Sequence, residues 1–518
     1  MNRKRLILFI ILIFSPLALS SCGAGTGGAS GTAVAPAETA AAVELPALEP
    51  AVITLLLAGD KPPDEQAVLD EVALRTKDEL NITIKTIYTP WSDYQDKHIM
   101  MASAGDEFDI FLNFSFDIFP AYTRGEAIDV TDLLTRYGPD ITKNISSNDM
   151  LTGRQNGRQV AIPAVYTKDS IALTAVVRKD LREKYHCPPI SGWDTLSQFY
   201  DAILKNEPGM IPLASDGYKS TTFLSGAIHI PYRPIVYDAN CAFAYVDDGG
   251  DAYKVQCFFD LPQERQLMQL GRQAYANKWF ETDVLSQANS EQLFESGKAA
   301  SWNVDFYNFN TIEANLKAAV PGAEMEWCIL NGDDPIDFTK SNNYSQISST
   351  SKHPERAVMF LNWLLEDQQN YDLFFFGIEG VHYTLDGDLI RLPDGIGASN
   401  NPYAPCPWFL YNTKYHRMFT TDTENTVSAN EYFKNAPRNP VKEIQLAFTF
   451  NQEPVSLEIG QVDKVVTDEW YPLVTGVRYG DEAYQNFRND LDEAGMQAII
   501  AEYQRQLDEY ITENPGEK

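Results

Sequence analysis

The chain is poor in the residues that build metal and redox centres. It has six cysteines and six histidines in 518 residues, and none is set at the close spacing of a zinc knuckle. No apolar run is long enough to span a bilayer, which excludes a permanent transmembrane helix. No Walker A loop, GxSxG elbow or HExxH helix occurs, so nucleotide hydrolysis, acyl transfer and zinc proteolysis have no motif to stand on. Basic residues are also scarce. With 41 Lys and Arg against 72 Asp and Glu, the formal net charge is −31, a field that repels nucleic-acid phosphate and anionic lipid headgroups. The acidic residues are spread along the chain instead of running in blocks, which describes a solvated exterior.

Hydrophobic residues make up 44% and aromatics 12%, values that belong to a folded protein with large cores. At the start, Arg3, Lys4 and Arg5 precede the apolar run Leu6 to Phe14, followed by Leu19-Ser20-Ser21-Cys22. This order reads as a signal peptide over residues 1–21 that ends in a lipobox, the plainer alternative being an ordinary signal peptide with an incidental Cys22. Cleavage there would leave Cys22 to carry lipid, palmitate included, and would tie the protein to the outer face of a membrane it does not cross. From Gly23 to about Pro50 the sequence is mostly Gly, Ala, Thr and Pro, a flexible tether over 22–50. Gly23-Ala-Gly25-Thr-Gly27-Gly28 formally matches a dinucleotide fingerprint, but no strand precedes it and no helix follows.

Val52 to Ala58 predicts a buried strand, and the spacing of Ala67, Val68, Val72 and Leu80 predicts a helix. Further strands are predicted at Ile82 to Tyr88 and Phe108 to Leu112, with a helix from Trp91 to Ala104 between them. Strands and helices alternating at these lengths imply a parallel α/β sheet whose ligands bind beyond the carboxyl ends of its strands. Those ends are Gly59-Asp60-Lys61, Thr89-Pro90-Trp91 and Asn113-Phe114-Ser115. Val160 to Val165 and Ile171 to Val177 read as a strand pair. Residues from about 195 to 300 read as a second lobe, and Gly297 to Val304 as a strand re-entering a cleft. Pro354 opens a helix whose core face is Ala357, Val358, Phe360, Leu361, Leu364 and Leu365, with Gly377 ending the segment. Ile444 to Phe450 reads as a strand, and Gly495 to Ile511 as a closing amphipathic helix. Cys22 aside, five cysteines remain; Cys241 and Cys257 flank a polar Asp-Asp-Gly-Gly stretch and could close a hairpin bridge.

Two blocks carry a family resemblance: Ser351-Lys-His-Pro354-Glu-Arg-Ala357-Val-Met-Phe360-Leu-Asn-Trp363-Leu, and Tyr371-Asp-Leu-Phe-Phe-Phe-Gly377-Ile-Glu-Gly380-Val-His-Tyr383. With the lipobox and tether, they resemble the extracellular solute-binding lipoproteins of ABC importers, carbohydrate-type family 1. Ala447-Phe-Thr-Phe450-Asn-Gln-Glu-Pro454-Val and Glu502-Tyr-Gln-Arg-Gln506-Leu-Asp508 resemble the C-terminal extension of a Gram-positive subgroup. The resemblance implies a two-lobe, periplasmic-binding-protein-like (type II) α/β fold over 51–440, with hinge crossings near 160–180 and 300–350 and an extension over 441–518. It also implies a monomer that delivers a solute to permease subunits, without cofactor, metal or catalysis.

Sugars offer hydroxyl edges and C–H faces, so a sugar site needs aromatic plates beside planar polar groups. Past the strand ends the candidates are Trp91, Phe114, Tyr166, Trp302, Tyr344 and Trp408, each of which could equally be core. Trp91 and Trp302 stand out because polar neighbours flank them, Ser92 and Asp93 in one case, Asn303 and Asp305 in the other. Asp60, Asn113 and Asp305 could meet hydroxyls or cap helices. Glu379 and His382 are expected to fix a turn. The competing readings are a peptide-binding lipoprotein and a secreted glycoside hydrolase, for which two suitably spaced carboxylates would suffice.

Overall fold

The computed structural model describes residues 48–166, 174–214, 224, 226–227, 244–247, 253–281, 283–286, 289–304, 306–330, 341–397, 400–405, 407–437 and 443–514. The signal, Cys22, most of the tether, Cys241, Asp305 and Cys406 lie outside them. Eight strands build the two principal sheets: β1 (Ala51–Ala58), β2 (Ile82–Thr89), β3 (Ile110–Phe114), β4 (Ile162–Pro163), β5 (Thr174–Arg178), β6 (Ser301–Asn303), β7 (Met325–Ile329) and β8 (Asn343–Ile347). The first sheet runs β2-β1-β3-β8-β4 and the second β6-β5-β7.

In the first lobe β1 pairs parallel with both β2 and β3, with Ile53 opposite Ile84 and Leu55 opposite Ile110. The links are helices α1 (Glu65–Thr76) and α2 (Tyr94–Ala104), as the alternating pattern requires. Being central, β1 is covered on both faces, and every residue of it except Val52 is buried. Its partner β3 is preceded by Asp109, a buried carboxylate whose charge is met by the Thr54 backbone N–H at 2.7 Å and by the Ser351 hydroxyl.

The chain then passes through a short helix, α3 (Ser147–Leu151). Later it returns to add β8 antiparallel to β3, then the helices α4 (Pro354–Glu366) and α5 (Gln368–Phe376). Proline opens α4 at its first turn, and all six residues predicted for its core face are buried. Gly377 ends α5 at φ +92, where an added Cβ would lie 2.7 Å from the His382 ring, so both conformation and space demand glycine.

The expected pairing of 160–165 with 171–177 is not formed. β4 joins β8 in the first sheet, whereas β5 is the centre of the second, between β6 and β7. The apolar runs look like a hairpin because both are buried, but each feeds a different core. The described chain passes between sheets there and again between β7 and β8; Met418–Thr423 then leads from the first lobe, where the Met418 carbonyl accepts from the Ile390 N–H, to the second, where the Thr423 N–H donates to Asn310.

β5 is covered on both faces. Ala175 and Val177 face one cluster, while Val176 joins Trp302, Phe306, Phe309, Met325 and Phe433 in another. The C-terminal segment lies in the first of these clusters. Ile459, Leu473, Phe487, Met496, Ile499 and Leu507 share a single core with Phe199, Phe259 and Trp279 of the second lobe. Backbones touch there: an added Cβ at Gly271 would meet the Val474 carbonyl oxygen at 1.8 Å, and one at Gly476 the Arg272 Cα at 2.4 Å.

The predicted strand 444–450 is instead a helix, α6 (Glu443–Ala447), followed by residues without regular structure. The alternation of Ile444, Leu446 and Phe448 imitates a strand; the residues are all apolar because the helix is buried on more than one side. The closing helix α7 (Met496–Glu513) forms as expected. Cys257 is a free, buried thiol that faces Ala244 across its hairpin, so the bridge that the sequence left possible is not made. Among the described residues no helix is long and apolar enough to cross a membrane.

Candidate functional site

At the carboxyl ends of β1 and β2 the backbone turns at Gly59, whose φ of +98 no side chain adopts easily; an added Cβ would lie 3.5 Å from the Trp91 indole nitrogen. Trp91 follows Pro90 in a single 3-10 turn, which projects its ring outward: it is 42% exposed. Trp408, from a second 3-10 turn, is 48% exposed and lies against it with ring centroids 4.8 Å apart. Two large rings held together yet half open to water are costly unless something covers them. Asp60 and Asp93 stand exposed beside the pair, and Ser92 donates a hydrogen bond to Asp93 at 2.7 Å.

Tyr166 is fixed at the start of the first crossing. Its hydroxyl donates to the Trp408 carbonyl at 2.6 Å and accepts from the Asn343 amide at 3.0 Å. Its ring stacks on Tyr411 at 4.6 Å, almost parallel, and meets Tyr307 edge-on at 6.1 Å. Tyr307 follows β6 and is 41% exposed, so this is a contact between lobes. Phe114 stacks on Phe116 at 5.6 Å, the latter 38% exposed.

The other predicted residues fall elsewhere. Asn113 is buried, and its side chain is used by the Phe114 N–H, Gln346 and Asp117; it braces the sheet. Tyr344 is likewise in the core, donating to Thr152 at 3.0 Å. Trp302 is 9% exposed and packs with Phe294 and Phe306, because its position on β6 points it to the sheet face covered by that cluster. Asn303 is half-buried and donates to the Thr174 carbonyl. Asp305 lies outside the described residues. Four predicted residues therefore gather on the first lobe's rim, Asp60, Trp91, Tyr166 and Trp408. Phe114 sits half-buried at the end of β3, and Asn113, Tyr344 and Trp302 serve packing. Tyr307, Tyr411 and Phe116 were not foreseen; the run Phe306-Tyr307-Asn308-Phe309 behind β6 was the available signal.

His382 fixes a turn as expected: its Nδ1 accepts from the Ile378 N–H at 2.9 Å. Below the tyrosines, His416 packs on Tyr411 at 4.4 Å and on Phe376 at 5.1 Å; burial drives its pKa down to about 3, leaving a neutral ring. Burial also pushes the Tyr411 phenol well up. The sequence shows no metal spacing, yet the fold brings His98, Asp117 and Glu126 within 4.8 Å of one another. Arg124 already serves both carboxylates, at 2.9 and 3.0 Å to Asp117 and 2.5 and 3.1 Å to Glu126. A metal ion there would have to displace a guanidinium that neutralises the pair.

A model of the family described as bacterial extracellular solute-binding protein matches residues 59–371, and one described as a domain of unknown function (DUF3502) matches 444–512. A carbohydrate ABC transporter substrate-binding protein of Streptococcus pneumoniae serotype 4 is 23% identical, over 89% of this chain and 91% of its own length. Among solved structures, an N-glycan transport solute binding protein from Streptococcus pneumoniae superposes with a TM-score of 0.69 at 18% identity, covering 90% of this chain and 99% of that one. An HMO binding, ABC-transporter-associated solute binding protein from Bifidobacterium longum infantis gives 0.65 at 16%, covering 89% and 99%.

Proposed function

Because the chain belongs to the family of bacterial extracellular solute-binding proteins, we propose that it captures an oligosaccharide between its lobes and delivers it to the permease of an ABC importer. The observation that carries the sugar reading is the half-exposed pair Trp91 and Trp408 beside Asp60 and Asp93 at the strand ends. Indole faces stack on sugar C–H faces, while carboxylates accept from hydroxyl edges. A second aromatic plate, Tyr166 on Tyr411, is tied to Trp408 through its hydroxyl, so more than one sugar ring finds a surface. The names of the related proteins, all carbohydrate or glycan binders, support the same reading.

In this proposal ligand touching Trp91 on one lobe and Tyr307 on the other favours closure by its extra affinity for the closed form. The chain acts as a binder and leaves its ligand unaltered. Cys22, lipidated after signal cleavage, holds it at the outer membrane face, where the tether lets it reach the transporter. A thermal-shift screen over monosaccharides, neutral oligosaccharides and peptides tests this directly, since a ligand of the native state raises the melting temperature. Oligosaccharides should raise it most. Stabilisation by peptides alone would replace the sugar reading, and release of hydrolysis products would end the binder reading.

A further inference from the structure

We infer that the C-terminal segment matched by the domain of unknown function is a clasp between the lobes, acting through α6. This helix presents apolar groups in two directions. Ile444 and the following Phe448 enter the second lobe's core, where Phe448 stacks on Tyr503 at 5.6 Å and meets Tyr510 edge-on at 5.5 Å. Leu446 and Ala447 instead bury against Leu151 of α3, which belongs to the first lobe, with Tyr510 packed beside them. All three are nearly or wholly removed from water, Leu151 at 7%, Leu446 at 2% and Ala447 at 5% exposure.

The place of this contact gives it leverage. α3 leads through Thr152 and Gly153 to β4, the strand from which the first crossing departs: Thr152 accepts from Tyr344 of β8, and the Val160 and Ala161 N–H groups both donate to the Gly153 carbonyl. A dry contact beside the crossings adds a non-covalent tie to the three covalent ones. It favours the arrangement in which Tyr166 meets Tyr307, and any larger separation of the lobes must first expose Leu151 and Leu446. The five-residue helix is thus wedged between two bodies. A structure needed only to fill the second lobe would have no reason to carry Leu446 and Ala447 on its far side.

The test needs no ligand, so it stands apart from the sugar reading. Leu446→Ala and, from the other lobe, Leu151→Ala are compared with the parent by small-angle scattering and by hydrogen exchange of the α3 amides. Each variant should show a larger radius of gyration and exchange in α3 faster by about 2- to 30-fold, the range over which single contacts modulate coupling. Leu151→Ala leaves the second lobe's core untouched, so its near-ultraviolet circular dichroism should keep the parent's intensity and any opening is attributable to the contact. Scattering curves from both variants that superpose on the parent's would overturn the clasp, as would opening in Leu446→Ala alone.

Discussion

In the proposed sugar site the surface turns on Trp91 and Trp408, and their effect should be separable from stability. Neither ring is in the core, so Trp91→Ala and Trp408→Ala should leave the melting temperature of the free protein within a degree or two while weakening glycan binding by about 1–3 kcal/mol each. Titration calorimetry checks this, and unchanged affinity in both would remove the pair from the site. His416 makes a different prediction. Its folded pKa of about 3 lies below the ordinary 6.5, so the unfolded chain binds a proton first and stability is lost as pH falls below about 6.5. Between pH 7 and 5.5 this residue should cost about 1 kcal/mol, a part of the pH dependence that His416→Phe removes in urea melts. Trp91, Trp408 and Tyr166 were legible in the sequence because they follow predicted strand ends or loops. Trp302 and Tyr344 were equally aromatic and equally well placed in order; only their sheet faces, which sequence position alone did not fix, sent them into cores.

Elements with one clear period could be read directly. The parallel strands of the first lobe and α4 appear where composition and spacing put them. The failures are segments whose local pattern fits more than one arrangement. Two apolar runs at 160–165 and 171–177 look like partners although each feeds a different sheet, and the alternation of Ile444, Leu446 and Phe448 imitates a strand over a short helix buried on two sides. At this scale the C-terminal helices can be tested by substitution. Leu507 is fully buried in the core shared with Phe199 and Trp279, so Leu507→Ala should lower stability by about 2–5 kcal/mol. Gly476→Ala should be as damaging despite adding a single methyl, since it meets Arg272 backbone at φ +78. Denaturant melts that leave either variant at parental stability would contradict this packing.

For the whole molecule, the two lobes are built on separate sheets, and the described chain connects them between β4 and β5, between β7 and β8 and at Met418–Thr423, an arrangement suited to hinged motion. Saturating oligosaccharide should therefore contract the radius of gyration measured by small-angle scattering without changing circular dichroism. Identical curves with and without a glycan that calorimetry shows to bind would rule out closure. The net charge of −31 further implies that neutral glycans are approached without the long-range attraction that cations would feel, so their association rates should vary little with salt.

The second lobe's hydrophobic interior draws on residues from Ala175 to Leu507. A ribosome must therefore have released almost the entire polypeptide before that half can assemble. Until then that half lacks part of its interior, and any product of premature termination keeps greasy surface bare for proteases to find.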